Sequence, residues 1–139
     1  MMTFENVKSC LDDPDLMAIL APSLFNPTPE RVAARAAAYM GDSDVAAYAC
    51  QANGVHTGLI VFSIEGNTAV IRAIATGSAF RHMGVGRFLV EQVMGAFHPS
   101  TLIAETDDDA VGFYQRCGFA VERCGEIDGR TRYFCRKSV

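Results

Sequence analysis

The sequence predicts an α/β (α+β) fold built on a mixed sheet of six to seven strands flanked by helices. Three observations carry that reading. Residues 45–76 hold three apolar, strand-like runs separated by tight-turn signals, the pattern of an antiparallel meander. Beyond residue 84 the hydrophobic period alternates between helix and strand, as parallel crossovers require. At 139 residues the chain is long enough to bury a real core but too short for two, so residues 1–139 are read as a single domain.

The first forty residues read as helical. Asp15 to Leu20 is an apolar stretch, broken by the prolines between Pro22 and Pro29. Thr28-Pro29-Glu30 opens a second helix: a hydroxyl to cap, proline at the first helical position and an acid in the first turn. Val32, Ala36, Tyr39 and Met40 share one face of it, and Gly41 ends it. Strands are expected over Val45 to Cys50 and Thr57 to Ile64, around the Asn53-Gly54 turn, and over Thr68 to Thr76. Gly84 to Phe97 is an amphipathic helix stopped by His98-Pro99-Ser100. Thr101 to Glu105 is a short strand. Asp107-Asp108-Asp109 is expected to begin a helix that runs through Tyr114 to about Arg116, its acids suiting the positive end of the dipole. Gly118 closes that helix, and 119–123 and 130–136 form a last strand pair.

Composition excludes several functions. Half the residues are hydrophobic and a fifth charged, as in ordinary globular proteins. No apolar run nears the roughly 18 residues of a membrane-spanning helix, so no membrane is expected as a partner. The first residues lack the charged and apolar regions of a signal peptide, which predicts a cytoplasmic chain. Five cysteines without a C-x-x-C pair suggest reduced thiols and no metal site. A net charge of −4 and no basic stripe argue against nucleic acid.

The chemistry is expected where the strand ending at Thr76 runs into the loop Arg81-His82-Met83-Gly84-Val85-Gly86 and straight into a helix. Amides at a helix N-terminus form an anion site, and glycine lets a phosphate approach the main chain. A P-loop would need Gly-Lys-Ser/Thr, which is absent. A Rossmann turn would need a third glycine where Leu89 stands.

Arg81-x-x-Gly84-x-Gly86 resembles the pyrophosphate loop of the GCN5-related N-acetyltransferases, and Ile74-Ala75-Thr76 with Phe80-Arg81 is similar to that family's approach to the loop. Ala110-x-x-Phe113-Tyr114-x-x-x-Gly118-Phe119 resembles its second signature, at the family's spacing of one helix and one short strand. The two motifs span about residues 56–120. The resemblance implies acetyl-CoA as co-substrate, with no metal. Main-chain groups of Ile74, Ala75 and Thr76 would pair with the pantetheine arm. Amides of His82, Met83, Gly84, Val85, Gly86 and Arg87 would hold the pyrophosphate. Arg81 and Arg87 would add charge, although a solvated arginine is an equal reading of Arg87. Thr76 replaces the usual valine, a near-isosteric swap. Asp107 stands where many members carry asparagine, which bears on the cofactor contact expected there.

Tyr114 occupies the position from which the family's acid comes, the alternative being a buried tyrosine with a satisfied hydroxyl. Glu105, at the end of its strand, is the candidate base, the alternative being an acid paired with Arg72 or another basic group. His56 reads as a surface residue, His82 as a loop residue whose backbone matters most, and His98 as a helix terminator. The expected acceptor is a small-molecule or peptide amine, with Pro22 to Gly41 on its side and a homodimer as a possible assembly. A non-catalytic acyl-CoA binding or sensing domain of the same fold is the rival.

Overall fold

The computed structural model describes residues 1–139. All seven strands join one sheet. They are β1 (Met2–Asn6), β2 (Val45–Ala52), β3 (Val55–Glu65), β4 (Thr68–Thr76), β5 (Thr101–Asp107), β6 (Ala120–Ile127) and β7 (Arg130–Ser138), in the spatial order β1-β2-β3-β4-β5-β7-β6. Only β4 and β5 are parallel neighbours. The crossover between them is α3 (Val85–Phe97). The other helices are α1 (Pro14–Leu20), α2 (Pro29–Gly41) and the six-residue α4 (Val111–Arg116).

Strand alternation sends side chains into two cores. On one face Ile60, Phe62 and Ile71 meet Val85, Leu89 and Val93 of α3 and Tyr114 of α4. On the other, Leu59, Val61 and Ala73 meet Leu16, Leu20, Val32 and Ala36 of α1 and α2. Thr28 caps α2 as expected, its hydroxyl accepting the Arg31 amide at 3.2 Å. Asn53 and Gly54 both adopt positive φ, at 54° and 78°, which suits the twist of the β2–β3 hairpin. Two bulges interrupt the meander. Across from Cys50 and Gln51, Thr57 is the extra residue of β3; across from Val61 and Phe62, Arg72 is the extra residue of β4.

Three expectations need correction. The N-terminal forty residues are not all helical: residues 2–6 form β1, an edge strand held by pairing with β2 and by Phe4 stacking on Tyr48 at 4.4 Å. Five residues at a sheet edge carry too little alternation to be told from a loop. Asp107 does not begin a helix but ends β5, and α4 starts only at Val111. The carboxylate of Asp107 accepts the Asp109 amide at 3.0 Å, so local side-chain bonding makes a turn where helix was expected. Finally, the last hairpin is longer, reaching Ile127 and Ser138.

Candidate active site

The parallel pairing of β4 and β5 lasts only three steps, Thr68↔Thr101, Ala69↔Leu102 and Val70↔Ile103. Beyond Val70 the two strands separate. Apart from the bulged Arg72, residues 71–76 keep their partners on β3, yet the main-chain groups turned the other way have no strand to meet. An extended ligand carrying amides can pair there, since unpaired backbone groups favour any partner that satisfies them. The gap opens into a cleft of about 1400 Å³. That exceeds the roughly 300–1,000 Å³ of an ordinary small-molecule pocket and leaves room for two substrates.

One wall is the N-terminus of α3. Its first intrahelical bond runs from the Phe88 amide to the Gly84 carbonyl, and no side chain caps the amides before it. Gly84 holds φ at 78° and His82 at 64°, so the loop alternates in hand on its way into the helix. Such alternation points successive N–H groups to one side, a concavity suited to anions. The two loop glycines differ in purpose. Nothing lies within 4 Å of a Cβ placed on Gly84, so its glycine serves the left-handed backbone and leaves the approach open. A Cβ on Gly86 would come within 2.5 Å of the Phe113 ring, so that glycine lets α4 close against α3.

The cleft is basic in an acidic protein. Six of the chain's 12 Lys and Arg residues line it, against four of its 16 Asp and Glu. A polyanionic ligand gains from that imbalance before any specific contact.

Tyr114 is buried at 4 % exposure, edge-on to Phe113 and Phe119 at 5.2 and 5.1 Å between ring centres. Its hydroxyl takes no hydrogen bond within the chain, and it is not among the fully enclosed polar atoms, so its free side is the cleft. Burial, and secondarily Cys135 and Cys117, push its pKa well above the ordinary tyrosine value. The phenol therefore stays protonated and able to donate. The alternative of a satisfied structural hydroxyl has no partner to support it.

Glu105 is exposed, lines the cleft and has no ion pair; Arg72, its suggested partner, is bound instead to Ser63 Oγ and Glu65, each at 3.2 Å. Ile74, Ala75, Thr76, Arg81, His82, Gly84, Val85, Gly86, Arg87 and Asp107 line the same cleft. Met83 does not; it stands 64 % exposed. The guanidinium of Arg87 donates to the Arg116 carbonyl at 2.5 Å and so also caps the end of α4. Asp107 is engaged by Arg130 at 3.2 Å, which ties β5 to the β6–β7 hairpin.

From the expected acceptor segment only residues 22–26 line the cleft; Glu30 does not, and Arg31 borders a separate shallow hollow beside Phe25. The sequence reading missed Phe113 as a packing partner of the loop, and Arg130 and Arg132 as cleft residues. Alternation along β7 could have placed the two arginines on one face, but nothing in the sequence says which strand β7 joins. Gly58 was also missed. A Cβ there would overlap Val85, so bare backbone on β3 seats the start of α3.

Sequence and structure comparisons agree with this geometry. The acetyltransferase (GNAT) family model matches residues 14–119. No curated protein matches the chain by sequence. Solved structures share the fold at low identity. An acetyltransferase from Thermus thermophilus is 18 % identical with a TM-score of 0.79, over 100 % of this chain and 97 % of that one. The ribosomal-protein-S18-alanine N-acetyltransferase from Escherichia coli is 19 % identical at 0.74, over 99 % and 94 %. A GNAT family acetyltransferase from Elizabethkingia anophelis with acetyl-CoA bound is 18 % identical at 0.72, over 99 % and 98 %. With the family model covering well over half its length, this chain belongs to the acetyltransferase (GNAT) family.

Proposed function

We propose that the chain is an N-acetyltransferase that moves the acetyl group of acetyl-CoA to a primary amine by direct attack on the thioester. One observation carries the reading: the unpaired edge of β4, the uncapped start of α3 and the unpartnered Tyr114 hydroxyl share one cleft. Acetyl-CoA is seen bound in the Elizabethkingia anophelis relative, and the present cleft fits the same ligand chemically. Residues 74–76 offer backbone groups to the amides of the arm, and residues 82–87 offer amides to the pyrophosphate. Arg81 adds charge.

Glu105 accepts a proton from the bound ammonium, directly or through water, leaving a neutral nitrogen to attack the carbonyl carbon. The N–C bond forms, and the oxyanion is met by a main-chain N–H near Ile74. The C–S bond then breaks, and the second nitrogen proton passes to solvent. Sulfur takes the hydrogen of Tyr114, which regains one from solvent. The raised pKa of Tyr114 keeps that hydrogen in place until charge develops on sulfur. Acceptors are small-molecule or peptide amines.

Following CoA thiol release with acetyl-CoA and a panel of amines tests the proposal. Release that depends on amine supports transfer. Acetyl-CoA binding without release for any amine would make the protein an acyl-CoA sensor.

A further inference from the structure

The acceptor's own chemistry is written in the arginines of the cleft. Arg72 is bound to Ser63 and Glu65, Arg87 to the Arg116 carbonyl, and Arg130 to Asp107 and Asp109. Arg81 belongs to the phosphate loop, and Arg116 stands exposed at the end of α4, on the other face of the sheet. Arg132 is different. It is half-buried, lines the cleft, and makes neither a hydrogen bond nor an ion pair. Its cross-strand neighbour is an acid, Asp107, but that carboxylate is already held by Arg130 and the Asp109 amide.

Strand register says where Arg132 points. Ala104 and Cys135 are paired and both lie in the α3–α4 core, so Glu105, Asp107, Phe134 and Arg132 face the opposite side of the sheet. That side is covered by α1 and α2 over β2–β4, and no helix covers it over β5 and β7. Glu105 pairs with Phe134 and Asp107 with Arg132, so Glu105 and Arg132 are diagonal neighbours on one face. Diagonal positions stand roughly 7–8 Å apart. An unpaired carboxylate and an unpaired guanidinium thus flank the open groove at the spacing of a short zwitterion.

We infer that the acceptor carries a carboxylate a few bonds from its reacting amine, as a free α-amino acid does, with Arg132 binding the carboxylate while Glu105 meets the ammonium. The inference rests on the proposed transfer to an amine and narrows its substrate class. A guanidinium fork matches a carboxylate in two parallel hydrogen bonds, which a carboxamide cannot reproduce.

The test is calorimetric binding of the standard L-amino acids and their carboxamides to the CoA-loaded protein, at about pH 6, where both sets of amines are protonated. At least one amino acid should bind about tenfold or more tighter than its carboxamide, the scale of a charge-assisted hydrogen bond. Arg132→Gln should erase that preference, and Arg132→Lys should restore part of it, with CoA affinity unchanged in both. No amino acid binding better than its amide, or a preference that survives Arg132→Gln, would overturn the inference. Failure of the transfer reaction itself would show separately, as binding without thiol release.

Discussion

The two sides of the cleft are built by different means. The proposed cofactor side would consist of main-chain groups: the free edge of β4, the left-handed loop residues His82 and Gly84, and the bare start of α3. These need a contiguous segment with glycines at fixed places. The proposed acceptor side would consist of side chains from three separated segments: Leu24 to Asn26, Glu105 of β5, and Arg130 with Arg132 of β7. Backbone recognition suits a ligand that is always the same, whereas side-chain recognition can be retuned one residue at a time. Variation in substrate therefore belongs to the second side.

Substitutions can break that comparison. Among the side chains, the largest effect is expected at Tyr114, where the two sides meet. Tyr114→Phe keeps the ring among Phe113, Phe119 and the core and removes only the hydroxyl. General acid catalysis is worth about 10²–10⁴-fold. A loss near 10² in turnover is expected, because a thiolate already leaves fairly well, with acetyl-CoA affinity nearly unchanged. Turnover within about twofold of wild type, with chemistry limiting the rate, would reassign the residue to packing. Because burial holds the Tyr114 proton beyond the ordinary tyrosine range, the rate should show no alkaline fall from this group up to about pH 10.

Glu105→Gln should cost less, on the order of tenfold at low pH, the gap closing as pH rises and the amine deprotonates unaided. A pH-independent loss would indicate a positioning role. On the cofactor side, Gly84→Val should abolish acetyl-CoA binding by calorimetry with turnover lost in consequence, while the strain of a left-handed valine costs about 1–2 kcal/mol of stability. Gly86→Ala should act through packing, destabilising by about 1–3 kcal/mol as Phe113 is displaced. Equal effects on binding from the two glycines, at equal stability, would contradict their division of labour.

The smallest effect lies outside the cleft. A hydrogen bond from His56 at 2.5 Å lowers the pKa of Asp15 below its ordinary 3.8. A carboxyl whose folded pKa is depressed adds stability above its unfolded pKa, and that stability disappears as pH falls through the folded value. Asp15→Asn should therefore flatten the acid limb of a stability profile below about pH 4, and change little at neutral pH because the Asp15 carboxylate is 58 % exposed.

Legibility followed the same division. The β2–β4 meander, α2 with its Thr28 cap and α3 were readable because period, cap and turn residues agree locally. The loop motif was readable because main-chain recognition leaves glycines in the sequence. The purpose of Gly86 was not, since Phe113 approaches it from another helix, 27 positions on. The turn at Asp107 reads as a helix start because aspartates suit both, and the structure has its carboxylate take the Asp109 amide locally and Arg130 from the far hairpin. Arg132 and Glu105 came together only through the β5–β7 pairing, which no local signal records.

On the proposed function, this cleft binds acetyl-CoA through its backbone and delivers the acetyl group to an amine. The most direct measurement is thermal unfolding with and without millimolar acetyl-CoA, because a ligand that binds only the folded state raises Tm by mass action. Wild type should show a clear rise that persists in Tyr114→Phe and Glu105→Gln and vanishes in Gly84→Val. No shift in the wild-type protein at millimolar ligand would contradict that function.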